Sequence, residues 1–268
     1  MPRVSVITVV KDDPSGLRTT HESLIGQTFK DWEMLIVTAP APDETIGVAT
    51  EMQSSDSRIH LHEQIGIGIY GAMNEGINSA DGEFIWFMNA GDTFASNSVL
   101  AHAVEKLSKS EVGVLIGGYE ILNGTADQTF SYPEGRVSVI DFAFNRRGGC
   151  HQAMIFHTQV LKSVGGFNTA YSLASDFDLV LKVIKKAGSR RVSEIYAAIE
   201  PGGRADQGIF LVHKEKHLIR RNLLGGPAIL AASLLWTGLA RTKIISRRAV
   251  GKLFRTAKNR WPSQLDSN

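Results

Sequence analysis

Residues 82–94 read GEFIWFMNAGDTF. The first part, GEFIWFM, is apolar enough to form a buried strand. It runs out into Asn89-Ala90-Gly91-Asp92, a turn that closes on a carboxylate. An unpaired carboxylate is costly beside a hydrophobic core. Asp92 therefore either caps its turn or holds something. A divalent cation bridging two phosphates is one candidate, since Mg²⁺ typically takes one or two protein carboxylates plus phosphate oxygens. Gly91 would let the backbone approach such a ligand closely. An Asx-turn is the plainer alternative.

The flanking sequence repeats the same strand-then-turn pattern. VSVITVV (4–10) is β-branched and bounded by Lys-Asp-Asp-Pro, which predicts a buried strand. Residues 15–27 predict a helix with Ser15 as N-cap and Leu17, Leu24 and Ile25 on one face. EMLIV (33–37) and IHLHE (59–63) predict strands, and residues 43–53 predict the helix between them. GIGIYG (66–71) reads as loop, AMNEGINSA (72–80) as helix, and 97–107 as another helix. Strands separated by helices imply an α/β fold, a mostly parallel, Rossmann-like sheet with helices on both faces. Ligands gather beyond the C-terminal strand ends of such sheets. Asp12, Thr38 and Asp92 all fall at those ends. Further on, 112–122 predicts a strand, 146–157 a loop entering a strand, and 158–164 and about 175–187 helices.

Several side chains invite chemistry. Asp176 and Asp178 lie two apart at a helix start, so they do not share a face. One can face a cleft as a general base while the other points outward; acids favouring the helix dipole are the alternative. Gly66, Gly68 and Gly71 match the spacing of a dinucleotide loop but do not follow the first strand. His60 and His62 share one face of a strand, as a metal pair or on a solvated edge. Cys150-His151 as nucleophile and base is disfavoured, because neighbours on an extended segment point oppositely. His151 and Gln152 as substrate contacts fit better.

Cys150 is the single cysteine, so no internal disulfide can form, which fits a reducing compartment. The N-terminus lacks the apolar stretch and cleavage site of a signal peptide and reads as a strand. Charge is divided unevenly. From His213 onward twelve Lys and Arg face only Glu215 and Asp266, so the tail carries +10 and the first 212 residues −8. Residues 1–212 thus read as the globular domain and 213–268 as a basic helical appendage. Residues 228–240 are apolar but short of the roughly 20 needed to span a bilayer. On a helical wheel, Ile244, Ile245, Ala249, Val250, Leu253, Phe254 and Ala257 oppose Arg241, Arg247, Arg248, Lys252, Arg255 and Lys258. Such a helix suits an anionic lipid surface, with packing against another subunit as the alternative. Its apolar face argues against nucleic acid.

Taken together, VSVITVVKDD, SLIGQTFKDWEMLIV, GIYGAMNEGINSADGEFIWFMNAGD, CHQAMIF and GGFNTAYSLASDFDLVLK resemble family 2 glycosyltransferases of the GT-A fold, notably those of bacterial O-antigen and exopolysaccharide (colanic-acid-like) biosynthesis. The resemblance covers roughly residues 3–215. It implies an inverting transferase that uses a nucleoside-diphosphate sugar donor and a saccharide or lipid-linked acceptor. A divalent cation, Mg²⁺ or Mn²⁺, would sit on Asp92, and Asp176 would be the general base. Thr8, Val10, Asp12 and Thr38 would line the nucleotide pocket. Asn74, Asn89 and Gly91 would lie near the diphosphate or sugar, and His151 and Gln152 near the acceptor. A cytoplasmic protein held at the inner membrane face by its tail follows. A non-catalytic nucleotide-sugar- or glycan-binding protein is the rival reading. The chain departs from the family where Asn89 and Gly91 replace acids in the metal turn, Thr38 stands in place of an Asp, and Gly71 replaces another.

Overall fold

The computed structural model describes residues 1–39, 44–122, 128–144, 149–201, 208–225 and 233. The chain divides into two compact units, residues 1–207 and 208–268. In the first unit, strand β1 (Val4–Val10) is followed by α1 (Pro14–Ile25), β2 (Trp32–Thr38), α2 (Glu44–Ser55) and β3 (Ile59–Glu63). Then come α3 (Gly68–Ser79), β4 (Phe84–Phe87), β5 (Thr93–Phe94), α4 (Val99–Ser108) and β6 (Val114–Ile121). Short strands β7 (Thr129–Phe130) and β8 (Gly135–Arg136) precede α5 (Val139–Phe144) and a single 3₁₀ turn, His151–Ala153. Strand β9 (Met154–His157), α6 (Thr158–Ser163), α7 (Ser175–Ala187) and β10 (Ser189–Ile199) complete the unit.

These ten strands form one sheet in the order β3-β2-β1-β4-β9-β6-β10-β5, with β7 on β6 and β8 on β10. β1 runs parallel to β2 and β4, β2 to β3, and β6 to β10. β9 is antiparallel to both β4 and β6, so β6 runs the same way as β1 to β4. The fold is thus the mixed α/β, mostly parallel sheet that the strand–helix alternation predicted.

All seven residues of β1 are buried, as its β-branched run requires. Successive side chains alternate between the two sheet faces. Val4, Val6 and Val10 enter a core with Leu17 and Leu24 of α1, Val48 and Met52 of α2, and Leu100 and Val104 of α4. Ile7 faces the other side, where Gly76 of α3 packs directly on it.

Three local expectations are corrected, and one strand is added. The N-cap of α1 is Asp13, not Ser15: its carboxylate accepts the Gly16 N–H at 2.8 Å, and Pro14 fills the first turn, where a missing N–H costs nothing. Helix α3 begins at Gly68 rather than Ala72. Asp178 does not point outward but is buried, 2.7 Å from Lys182 one turn on. β10 was not expected as a strand, because Arg190, Arg191 and Glu194 interrupt its apolar run. His60 and His62 do lie on an edge strand, β3, with His60 3.7 Å from Glu33.

In the second unit, helix α8 spans Ile209–Leu224, starting four residues before the expected boundary at 213. The amphipathic segment 241–258 lies outside the described residues. No described helix is long and apolar enough to cross a membrane.

Candidate active site

Asp92 stands five residues past the end of β4, in the turn that began as Asn89-Ala90-Gly91. The turn is closed by Asp92 N–H donating to the Asn89 carbonyl. Helix α1 fastens it from one side: the Thr20 hydroxyl reaches the carbonyls of Asn89 at 3.0 Å and Asp92 at 2.7 Å, and Gly91 N–H donates to the Gly16 carbonyl. Gly91 has φ +91°, a left-handed conformation that favours glycine. A β-carbon there would also meet Glu200 Oε2.

The Asp92 carboxylate is only 4% exposed, and each oxygen has an N–H donor. Gln152 Nε2 donates to Oδ2 at 2.9 Å, and the backbone N–H of Glu200 donates to Oδ1 at 2.9 Å. Burial pushes its carboxyl above the ordinary range, against the two hydrogen bonds that favour the charged form. Glu200 itself is exposed at the end of β10. A second acid thus stands beside a turn whose own neighbours, Asn89 and Gly91, carry no charge.

The 3₁₀ turn before β9 connects this turn with the other expected acid. Gln152 faces Asp92, while His151 Nδ1 lies 3.8 Å from Asp176 Oδ2 at the N-terminus of α7. That separation is an electrostatic contact, too long for a hydrogen bond. The His151 side chain is 14% exposed and that of Asp176 30%. His151 Nε2 is buried without a partner. Two consecutive residues therefore face the two acids that the sequence singled out, and the structure brings Asp92, His151, Gln152 and Asp176 together.

The remaining expected contacts are placed variously. Asp12 is exposed just past β1 and is the only non-glycine residue with positive φ (52°) among the described residues. Such conformations cluster at functional sites. Thr8 is wholly buried, its hydroxyl without a partner, and the Val10 side chain belongs to the core. Thr38 is buried at the end of β2, its hydroxyl 3.4 Å from the His62 carbonyl. Both ends of the Asn74 amide are engaged by Phe167, whose N–H donates to Oδ1 at 2.8 Å and whose carbonyl accepts from Nδ2 at 2.9 Å. Asn74 thus clips the loop after α6 to α3.

The turn carries oxygen donors of the kind a hard cation takes. Asp92 and Glu200 offer carboxylate oxygens, and Asn89 Oδ1 is buried with no partner. Among the described residues no three His, Cys, Asp or Glu side chains gather into a ready cage. Mg²⁺ ordinarily completes its shell with substrate phosphates and water.

The sequence reading missed Glu200 and Thr20 as neighbours of this turn. Glu200 ends a strand in IYAAIE just as Asp92 follows IWFM, and reading β10 as a strand would have found it.

The sequence model of Glycosyl transferase family 2 matches residues 5–164, more than half of the chain. The chain belongs to Glycosyl transferase family 2. As a family 2 glycosyltransferase it has curated relatives of related length. A PGL/p-HBAD biosynthesis glycosyltransferase of Mycobacterium bovis is 25% identical over 182 residues, covering 68% of this chain and 69% of that protein. An uncharacterized glycosyltransferase of Mycobacterium tuberculosis is 29% identical over 184 residues, 68% of each. Among solved structures, TarS 1–349 of S. aureus in complex with UDP-GlcNAc superposes with a TM-score of 0.69 at 18% identity, covering 87% of this chain and 72% of that one. The mannosyltransferase PcManGT from Pyrobaculum calidifontis, in complex with GDP-Man and Mn²⁺, gives 0.62 at 16% identity, covering 94% and 80%. These two likenesses establish the GT-A-like fold of this family 2 glycosyltransferase.

Proposed function

We propose that this glycosyltransferase moves a sugar, with inversion, from a nucleoside-diphosphate sugar to a saccharide carried on a lipid, in cell-surface polysaccharide assembly of the O-antigen or exopolysaccharide type. The observation that carries the reading is the pairing of two acids through one dipeptide: Gln152 on Asp92 and His151 facing Asp176. Asp92, beside Glu200 and Asn89, would hold Mg²⁺ or Mn²⁺. When bound, that cation would offset charge developing on the leaving diphosphate. Asp176 is the half-exposed acid of the pair, and would take the proton of an acceptor hydroxyl as it attacks the anomeric carbon. His151 would steady its carboxylate and border the acceptor. Asp12, at the end of β1 and outside the core, would meet the nucleotide, with Thr8, Val10 and Thr38 forming the wall behind it. The named ligands of the neighbours, UDP-GlcNAc and GDP-Man, support a nucleotide-sugar donor.

The basic tail would keep the enzyme at the inner, cytoplasmic membrane face, near such an acceptor. Transfer from a panel of nucleotide sugars to an acceptor extract tests the reading. Asp176→Asn should lower turnover by about 10²- to 10⁴-fold. Background turnover alone, equal in wild type and variant, would defeat it and favour a nucleotide-sugar-binding protein.

A further inference from the structure

We propose that Gln152 is a positioning residue for the donor half of the site, aiming the Asp92 carboxylate, with Cys150 fixing which end of its amide faces that acid. The inference rests on the donor-site reading above.

The argument begins with hydrogen-bond capacity. An ionised carboxylate only accepts, so the amide end turned to Asp92 Oδ2 must be the NH₂ group. Gln152 Oε1 must then face the other way, and Cys150 Sγ lies 2.6 Å from it. Only a protonated thiol can complete this contact, because a thiolate would oppose the amide oxygen. Burial pushes the Cys150 thiol up to about 12, with the Asp92 and Asp176 carboxylates adding to the shift, so the donor proton is present at neutral pH. Cys150 thus acts as a hydrogen-bond donor, not as a nucleophile.

The backbone of Gln152 is anchored as well. Trp86 Nε1 donates to its carbonyl at 2.7 Å. Trp86 belongs to β4, the strand that leads to Asp92, so one strand supplies the acid and holds the residue that orients it. Gln152 is 8% exposed and both ends of its amide are engaged, which leaves little of it for an incoming sugar. Outer partners of this kind commonly change metal affinity by about 10- to 100-fold when removed.

The test is Mn²⁺ binding by the full chain, followed by the electron paramagnetic resonance signal of free Mn²⁺, alone and with UDP or GDP added. Asp92→Asn should abolish binding. Gln152→Leu, which keeps the bulk and loses the amide, should weaken it by about tenfold or more. Cys150→Ala should weaken it less, and Cys150→Ser, which still donates, should restore it. Melting temperatures of all variants separate misfolding from misplacement. Wild-type affinity in Gln152→Leu beside an impaired Asp92→Asn would overturn the positioning role and leave the donor reading intact. An unimpaired Asp92→Asn would overturn both. If Gln152→Leu does not fold, the serine–alanine pair decides: equal affinities there would overturn the role of Cys150 in holding Gln152.

Discussion

Asp92 shows how much one carboxylate depends on its surroundings. Burial holds its carboxyl above the ordinary range. The folded, metal-free protein therefore binds this proton more tightly than the unfolded chain. Its contribution to stability is present at acid pH and is lost as pH rises through the raised value. In EDTA, wild type should lose stability relative to Asp92→Asn as pH rises from about 3, below the ordinary carboxylate value, to about 7. Urea midpoints at a series of pH values check this, and a difference between the two proteins that does not change with pH would count against it. The acid itself was legible in the sequence, because a buried run ended on it. Its partners were not. Gln152 and Glu200 lie 60 and 108 residues further along the chain, and no local pattern ties them to a turn at 89–92.

Among the elements, those with a clear period were read correctly. β1, β2 and β3 emerged within a residue of their observed bounds, since apolar and β-branched runs bounded by turn residues have few alternatives. α3 was read short because Gly66, Gly68 and Gly71 crowd its start, and glycine signals loop when nothing else is known. The fold keeps Gly76 in this helix for contact: a β-carbon there would lie 2.5 Å from Ile7 Cγ2, in a side chain 1% exposed. Gly47 in α2 has nothing within 4 Å. Gly76→Ala should therefore cost about 1–3 kcal/mol through overpacking, while Gly47→Ala should gain about 0.5–1 kcal/mol from helix propensity. Chemical denaturation of the two variants reads the difference directly; equal shifts would mean that α3 is free to move away from β1.

For the whole molecule, alternation of strands and helices sufficed for the α/β class. The order of the sheet could not be read, because β9 enters against the direction of its neighbours and carries no sequence mark of that placement. Charge is the other property of this scale. The +10 of residues 213–268 is set against a negative remainder. Deleting residues 227–268 should release the protein from anionic vesicles in a sedimentation assay, and undiminished binding would assign membrane contact to another surface.

The place of β9 also orders the assembly of the protein in time. It lies between β4 and β6, yet it is made about 70 residues after β4 and about 30 after β6. While the chain is synthesised from its N-terminus, the free edge of β4 must wait, a row of unpaired peptide groups open to other nascent chains. His151 and Gln152 arrive on the segment that finally covers this edge, and Glu200 arrives later still. A half-made molecule can therefore have much of its sheet before Gln152 and His151 are in place beside Asp92 and Asp176.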